Sequence, residues 1–111
     1  MTDVRECTVA DLHAAWQRKD LIVDVREPDE FAEGHVPSAV SIPLSQLATR
    51  LGEIHTDGPV YVVCRSGRRS IDAARTLSEA GFQALSVSGG TLEWVSVGHH
   101  LSAPHQPGVA L

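Results

Sequence analysis

The stretch Cys64-Arg65-Ser66-Gly67-Arg68-Arg69-Ser70 places a thiol, a glycine and three guanidinium groups next to one another. Tyr61-Val62-Val63 reads as a buried strand and Ser70 opens a strong helical pattern, so the stretch is a strand-to-helix loop headed by Cys64. Amides of such a loop can converge on an anion, the following helix adds its N-terminal dipole, and Gly67 allows the backbone to turn tightly. Positive potential from amides and arginines favours S⁻ over SH and raises the reactive fraction at neutral pH. Cys64 is therefore the candidate nucleophile. Ser66 and Gly67 belong to the anion-binding loop, and Arg65 and Arg68 are candidates for holding an anionic substrate. The competing reading of Cys64, a small buried hydrophobe at a strand end, leaves the three adjacent arginines unexplained.

The rest of the chain agrees with a small anionic partner. Its net charge is −5, with five basic and eleven acidic side chains over residues 1 to 59 but four and three over residues 60 to 111. One basic spot on an acidic chain is poorly suited to nucleic acid, which wants an extended basic surface. Apolar residues make up 42% and charged residues 21% of the 111, with no apolar run long enough to span a bilayer, so a globular protein without a membrane partner is expected. The opening Met1-Thr2-Asp3-Val4-Arg5-Glu6 leads into no apolar run, so a cytoplasmic location is the expectation. Cys7 and Cys64 have neither the spacing nor the number of a disulfide framework, and both should be free thiols.

Strand patterns occur at Leu21 to Val25, Ala39 to Ile42, Val60 to Val63 and Ala84 to Val87, with a weaker one at Arg5 to Thr8. Thr8 to Asp11 resembles a helix cap, with Leu12, Ala15 and Trp16 on one face of a helix ending near Lys19. Pro28 opens and Gly34 closes a short helix, and Leu44, Leu47, Ala48 and Leu51 form one further stripe. Ser70 to Ala80, stopped by Gly81, is the clearest helix, with Ile71, Ala74 and Leu77 facing inward, and a last helix runs from Thr91 to Val97. Apolar strands alternating with helices predict an α/β fold: a mostly parallel central sheet of about five strands flanked by helices. Residues 1 to 98 form the expected domain and 99 to 111 an irregular tail. In open α/β sheets ligands sit beyond the carboxyl ends of strands, which is where Cys64 falls.

Several further motifs accompany the loop: Asp24-Val25-Arg26 with Glu30-Phe31, Gly34-His35-Val36-Pro37, Ile42-Pro43, and Gly89-Gly90 with Trp94 and Gly98. Together with Cys64 to Ser70 they resemble, in order and spacing over residues 5 to 98, a rhodanese homology domain of the single-domain type. Ser38 and Ser41 stand where that family commonly has glycine and asparagine, and His99-His100-Leu101 replaces its apolar-proline ending. The resemblance implies a thiosulfate sulfurtransferase without a cofactor, in which Cys64 carries a sulfane sulfur as a persulfide. The donor would be a small anion such as thiosulfate, and the acceptor cyanide, a thiol or a protein. Arg69 corresponds to the family's loop-closing arginine, and bracing the loop and contacting substrate are equally open to it.

The remaining motif residues are expected to be structural. An Asp-x-Arg pair at a strand end commonly fixes loops, so Asp24 and Arg26 are support residues, with Arg26 paired to Glu30 across the start of the short helix. His35 is expected to hydrogen-bond in the following turn, Ser70 to start the helix, and Phe31 and Trp94 to lie in the core. Cys7, near an edge strand with only Arg5 beside it, is expected to be inert. His99, His100 and His105 lack the preorganised geometry of a metal site, so no metal is expected. Two enzyme or binding alternatives fit less well. A cysteine phosphatase or arsenate reductase loop has five residues between Cys and Arg and often a His before the Cys, whereas here Val63 precedes Cys64, Arg69 follows after four residues, and Ser70 takes the arginine's place. A non-catalytic rhodanese-like module typically lacks the cysteine. A persulfide relay between protein partners remains compatible with the same residues.

Overall fold

Residues 3–103 are described by the structure, a computed structural model. In chain order they form β1 (Arg5–Cys7), α1 (Val9–Gln17), β2 (Leu21–Asp24), α2 (Pro28–Glu33), β3 (Val40–Ser41), α3 (Leu44–Leu47), a 3-10 turn (Leu51–Glu53), β4 (Pro59–Val63), α4 (Arg69–Glu79), β5 (Gln83–Val87) and α5 (Gly90–Ser96). The five strands make one sheet in the order β1-β5-β4-β2-β3, every pair parallel. The fold is thus the α/β class expected from the alternation of strand and helix patterns.

Side-chain alternation along β4 distributes the core over two faces. Val60 and Val62 point to one side, where Ala73, Ala74 and Leu77 of α4 and Leu47 of α3 cover them. Tyr61 and Val63 point to the other, against Leu12 and Ala15 of α1 and Trp94 of α5. Removing apolar area from water on both faces is what holds a parallel sheet between its helices. The α1 start is fixed by the expected cap: the Asp11 N–H donates to Thr8 Oγ1 at 3.1 Å and the Thr8 N–H to Asp11 Oδ2 at 2.9 Å.

From β2 the chain moves to β3 on one flank, and from β4 it moves to β5 on the other. The crevice at the carboxyl ends of β2 and β4 is therefore the topological switch point, and Cys64 and Asp24 meet there.

Local departures from the sequence reading have physical causes. The stripe from Leu44 to Leu51 is not one helix: α3 lasts one turn and Ala48 is exposed. The Thr49 hydroxyl and N–H both donate to Gln46 O, and the Arg50 N–H donates to Leu47 O, so the chain tightens and breaks before the 3-10 turn. On α4 the inward residues are Ser70, Ala73, Ala74 and Leu77, while Ile71 is only half-buried, because the first turn faces the Cys64 loop and not the apolar core. Phe31 is also half-buried, its ring stacked on His35 with centroids 3.7 Å apart, so it is not a core residue. Ser38 adopts φ +71, the left-handed conformation that explains why glycine is common at that position in the resembled family.

Residues just past Gly98 pack back onto this body. His99 stacks on His13 at 4.1 Å, the Trp94 Nε1–H donates to His100 O at 2.8 Å, and Ser102 pairs with His35 in an antiparallel bridge. Trp94 itself is buried, as expected of a core residue.

Candidate functional site

Strand β4 ends at Val63 and delivers Cys64 into the crevice, with only 1% of the residue exposed. The loop then folds around the sulfur. The Gly67 N–H points at Sγ from 3.1 Å, the Ser70 N–H from 3.4 Å, and Ser70 Oγ lies 3.5 Å away. Gly67 has φ +102 and sits close to Gly89 N and Val87 O, so both its conformation and its surroundings exclude a side chain. Burial by itself disfavours the Cys64 thiolate. The Ser70 hydroxyl and the amides of Ser70, Gly67 and Ser66 overcome it, and the thiol pKa falls below its ordinary value. Of the amides and arginines expected to stabilise the thiolate, the amides do so directly, together with the Ser70 hydroxyl.

The loop carbonyls are held from below by the start of α5. Thr91 N–H donates to Cys64 O at 2.9 Å and Leu92 N–H donates to Arg65 O at 3.1 Å. Gly90, at φ +56, makes this approach possible: a Cβ there would run into Cys64 O and lie 2.5 Å from Arg65 O. Gly89-Gly90 was visible in the sequence as part of the resemblance, but its contact with the loop needs the fold. Ser86 was missed. It lies on β5, fully buried, with its Oγ 2.8 Å from Ser70 Oγ. The available signal was a serine two positions after Ala84, in the inward phase of the strand.

Arg69 braces the loop from outside. Its Nη1 and Nη2 donate to Glu30 Oε1 and Oε2 of α2 at 2.7 and 3.0 Å. Hydrogen bonding from Arg69 is the main reason the Glu30 pKa drops from 4.5 to about 2. Arg26 does not pair with Glu30. Its N–H, Nε and Nη2 all bond to the Asp24 carboxylate at 2.8 to 3.0 Å, and Nη2 also donates to Gly34 O at 2.7 Å. Asp24 is fully buried and Arg26 nearly so, and a buried carboxylate demands the nearest complete set of donors. The pair ties the end of β2 to the end of α2. His35 likewise bonds backwards: its Nδ1 meets Phe31 O at 2.8 Å, capping α2 and leaving the following turn to its backbone. Of the sequence-derived site, Cys64, Ser66, Gly67 and Ser70 thus gather around the sulfur, Arg69 and Glu30 stand as its outer brace, and Asp24, Arg26 and His35 support the neighbouring loops.

Arg65 and Arg68 are exposed. Arg65 borders a cleft of about 370 Å³ shared with Arg26, Glu30, Thr91, Leu92 and Val95. A wider cleft of about 820 Å³ lies at the amino ends of β2 and β4, lined by Trp16, Leu21, His55 and Pro59 among others. Neither cysteine lines it, whereas the smaller cleft borders the Cys64 loop through Arg65. Cys7 is buried on the edge strand β1, and burial, with Asp11 and Glu6 nearby, pushes its pKa up to about 11. Among the described residues no three His, Cys, Asp or Glu side chains are grouped to hold a metal ion; His99 stacks on His13 and lies tilted against Trp94, and His105 lies outside the described residues.

The fold is shared with known proteins. Residues 8–97 match the family model of the rhodanese-like domain, and the chain belongs to that family. It is 38% identical over 85 residues to a protein named sulfurtransferase from Allochromatium vinosum, the match covering 76% of this chain and 79% of that protein. It is 47% identical over 81 residues to the uncharacterized protein YqhL of Bacillus subtilis (strain 168), covering 72% of this chain and 64% of the other, so the chain spans somewhat under two thirds of that relative. The crystal structure of a rhodanese-related protein from Thermoplasma volcanium superposes with a TM-score of 0.82 at 31% identity, covering 88% of this chain and 97% of that one.

Proposed function

We propose that this chain is a sulfurtransferase that carries sulfane sulfur as a persulfide on Cys64, with thiosulfate or a related anion as donor. The observation that carries this reading is the buried Sγ facing the Gly67 and Ser70 amides at 3.1 and 3.4 Å, a cradle for a sulfur-centred anion. The Cys64 thiolate attacks the outer sulfur of thiosulfate. A new S–S bond forms, the bond to the SO₃ group breaks, and its electron pair leaves with sulfite. A cyanide ion or thiolate then attacks the terminal sulfur, the Cys64–S bond breaks, and the thiolate is regenerated. Arg65 and Arg68 draw the anionic donor to the loop mouth, while Arg69 keeps the loop in place through Glu30. No cofactor enters these steps. The free thiols suit a reducing compartment, and we place the reaction in the cytoplasm.

A protein acceptor is the second reading, favoured by Leu92 and Val95, each 49% exposed beside Arg65. A phosphatase reading is disfavoured, because Arg69 is engaged by Glu30 and Ser70 occupies the place of the phosphatase arginine.

Intact-protein mass spectrometry tests the main reading. Thiosulfate should add roughly 32 Da to the protein, removable by cyanide or a thiol, because a persulfide is an exchangeable adduct of an activated thiolate. Cys64→Ser should abolish both the adduct and turnover. Sulfur located on Cys7, or turnover retained in Cys64→Ser, overturns the assignment.

A further inference from the structure

We propose that Ser86, one strand away from the loop, is a positioning residue for Cys64, acting through Ser70. The inference rests on the sulfur-transfer reading and adds a residue to its site. Ser70 and Ser86 are both fully buried, and their hydroxyl oxygens are 2.8 Å apart. Ser86 sits opposite Val62 of β4 and belongs to a strand whose other inward residues are apolar. A hydroxyl at such a position is costly unless it is paired, and the partner here is a group that itself reaches Cys64 Sγ at 3.5 Å.

Proton counting fixes the direction of the chain. Each serine has one O–H and two lone pairs. A thiolate only accepts, so Ser70 gives its proton to Sγ. Its 2.8 Å contact with Ser86 is then filled by Ser86 donating to Ser70 Oγ. When Cys64 is a thiol, S–H can donate to Ser70 and Ser70 to Ser86, so the two hydroxyls reverse together with the charge on sulfur. A donor chain polarises its members, and the Ser70 proton becomes a better partner for the anion while Ser86 is in place.

The charged groups around the loop are Arg65 and Arg68 within it, Arg69 with Glu30 of α2, the Asp24–Arg26 pair at the end of β2, Asp72 with Arg75 on α4, and Glu93 in the first turn of α5. None of them contacts either serine hydroxyl, so substitution of Ser86 leaves these pairs in place.

The experiment is the pH dependence of Cys64 alkylation by iodoacetamide, followed by mass spectrometry with peptide mapping so that Cys7 is scored separately. Ser70→Ala should raise the midpoint by about one unit, the loss of a hydrogen bond to a charged group. Ser86→Ala should raise it by about half a unit, roughly a threefold loss of thiolate below the midpoint. The double variant should titrate no higher than Ser70→Ala, because Ser86 acts through Ser70. Ser86→Thr and Ser86→Val have matched shapes and separate hydroxyl from packing: threonine should restore the wild-type midpoint and valine should not. An unchanged midpoint in Ser86→Val, or fully additive shifts in the double variant, overturns the positioning role. A wild-type Cys64 that takes up no sulfur from thiosulfate overturns the sulfur-transfer reading instead.

Discussion

Replacing Glu30 by glutamine removes the charge that holds Arg69 while keeping the size of the side chain. In the native protein the bidentate pair lowers the Glu30 pKa from 4.5 to about 2. At about 1.4 kcal/mol per pKa unit this shift sets a ceiling of about 3 kcal/mol. The Arg69 and Glu30 side chains remain 36% and 26% exposed, so water screens the pair and about 1 kcal/mol is the expected net loss in Glu30→Gln at pH 7. The sign follows from the lowered pKa: the contribution is complete above 4.5 and disappears as pH falls towards 2. Urea unfolding of both proteins at constant salt from pH 7 downwards should therefore show a stability gap that has fallen by about half at pH 3. Sulfur uptake by Cys64 should slow without being abolished, since the pair touches the loop and not the sulfur. A gap independent of pH, or absent at pH 7, would refute the brace.

Neutral substitutions of Arg65 and Arg68 should weaken turnover of thiosulfate more than that of an uncharged sulfur donor, with the difference shrinking at high salt; equal losses for both donors would show loop collapse instead of lost recruitment. Gly90→Ala should cost about 2–4 kcal/mol in urea unfolding, because its Cβ meets Cys64 O and Arg65 O. Gly81→Ala, also at positive φ but with open space around it, should cost only about 1 kcal/mol, and similar losses at both sites would refute the clamp. The wild-type protein should hydrolyse aryl phosphates negligibly, and one residue inserted after Gly67 should weaken sulfur transfer; phosphatase turnover comparable to sulfur transfer and lost in Cys64→Ser would overturn the reading.

Most of the scaffold was legible because it rests on local periodicity. Val60-Tyr61-Val62-Val63 and Leu21-Ile22-Val23 carry enough apolar surface to be buried on both faces, and the Thr8–Asp11 cap and the Gly81 stop are written within a few residues. The loop was legible too, since strand, cysteine, glycine and helix follow one another directly. What the sequence did not reveal is long-range. Arg26 and Glu30 are four positions apart and opposite in charge, yet Arg26 goes to the fully buried Asp24, which frees Glu30 for Arg69, 39 residues further along. The short turn of α3 depends on the Thr49 hydroxyl competing for a backbone carbonyl, which apolar spacing does not register. Ser86 did not stand out in the sequence, because its meaning depends on β5 lying beside β4 and under α4.

The division of labour in the loop follows from range. Hydrogen bonds from Gly67 and Ser70 act on Sγ at 3.1 to 3.5 Å in a place where the residue is 1% exposed, so mobile ions do little to weaken them. Arg65 and Arg68 are exposed, and their pull on an approaching anion is screened within about 8 Å at physiological salt. Had guanidinium groups supplied the thiolate's main partner, activation and donor capture would weaken together as salt rises. With amides and the Ser70 hydroxyl in that role, stabilisation of the thiolate and the proposed capture of the donor respond separately to salt. In the proposed persulfide the negative charge sits on the outer sulfur, one S–S bond or about 2 Å from Sγ. A neutral cradle thus stabilises the sulfur anion without locking it into an ion pair that each incoming nucleophile would have to break.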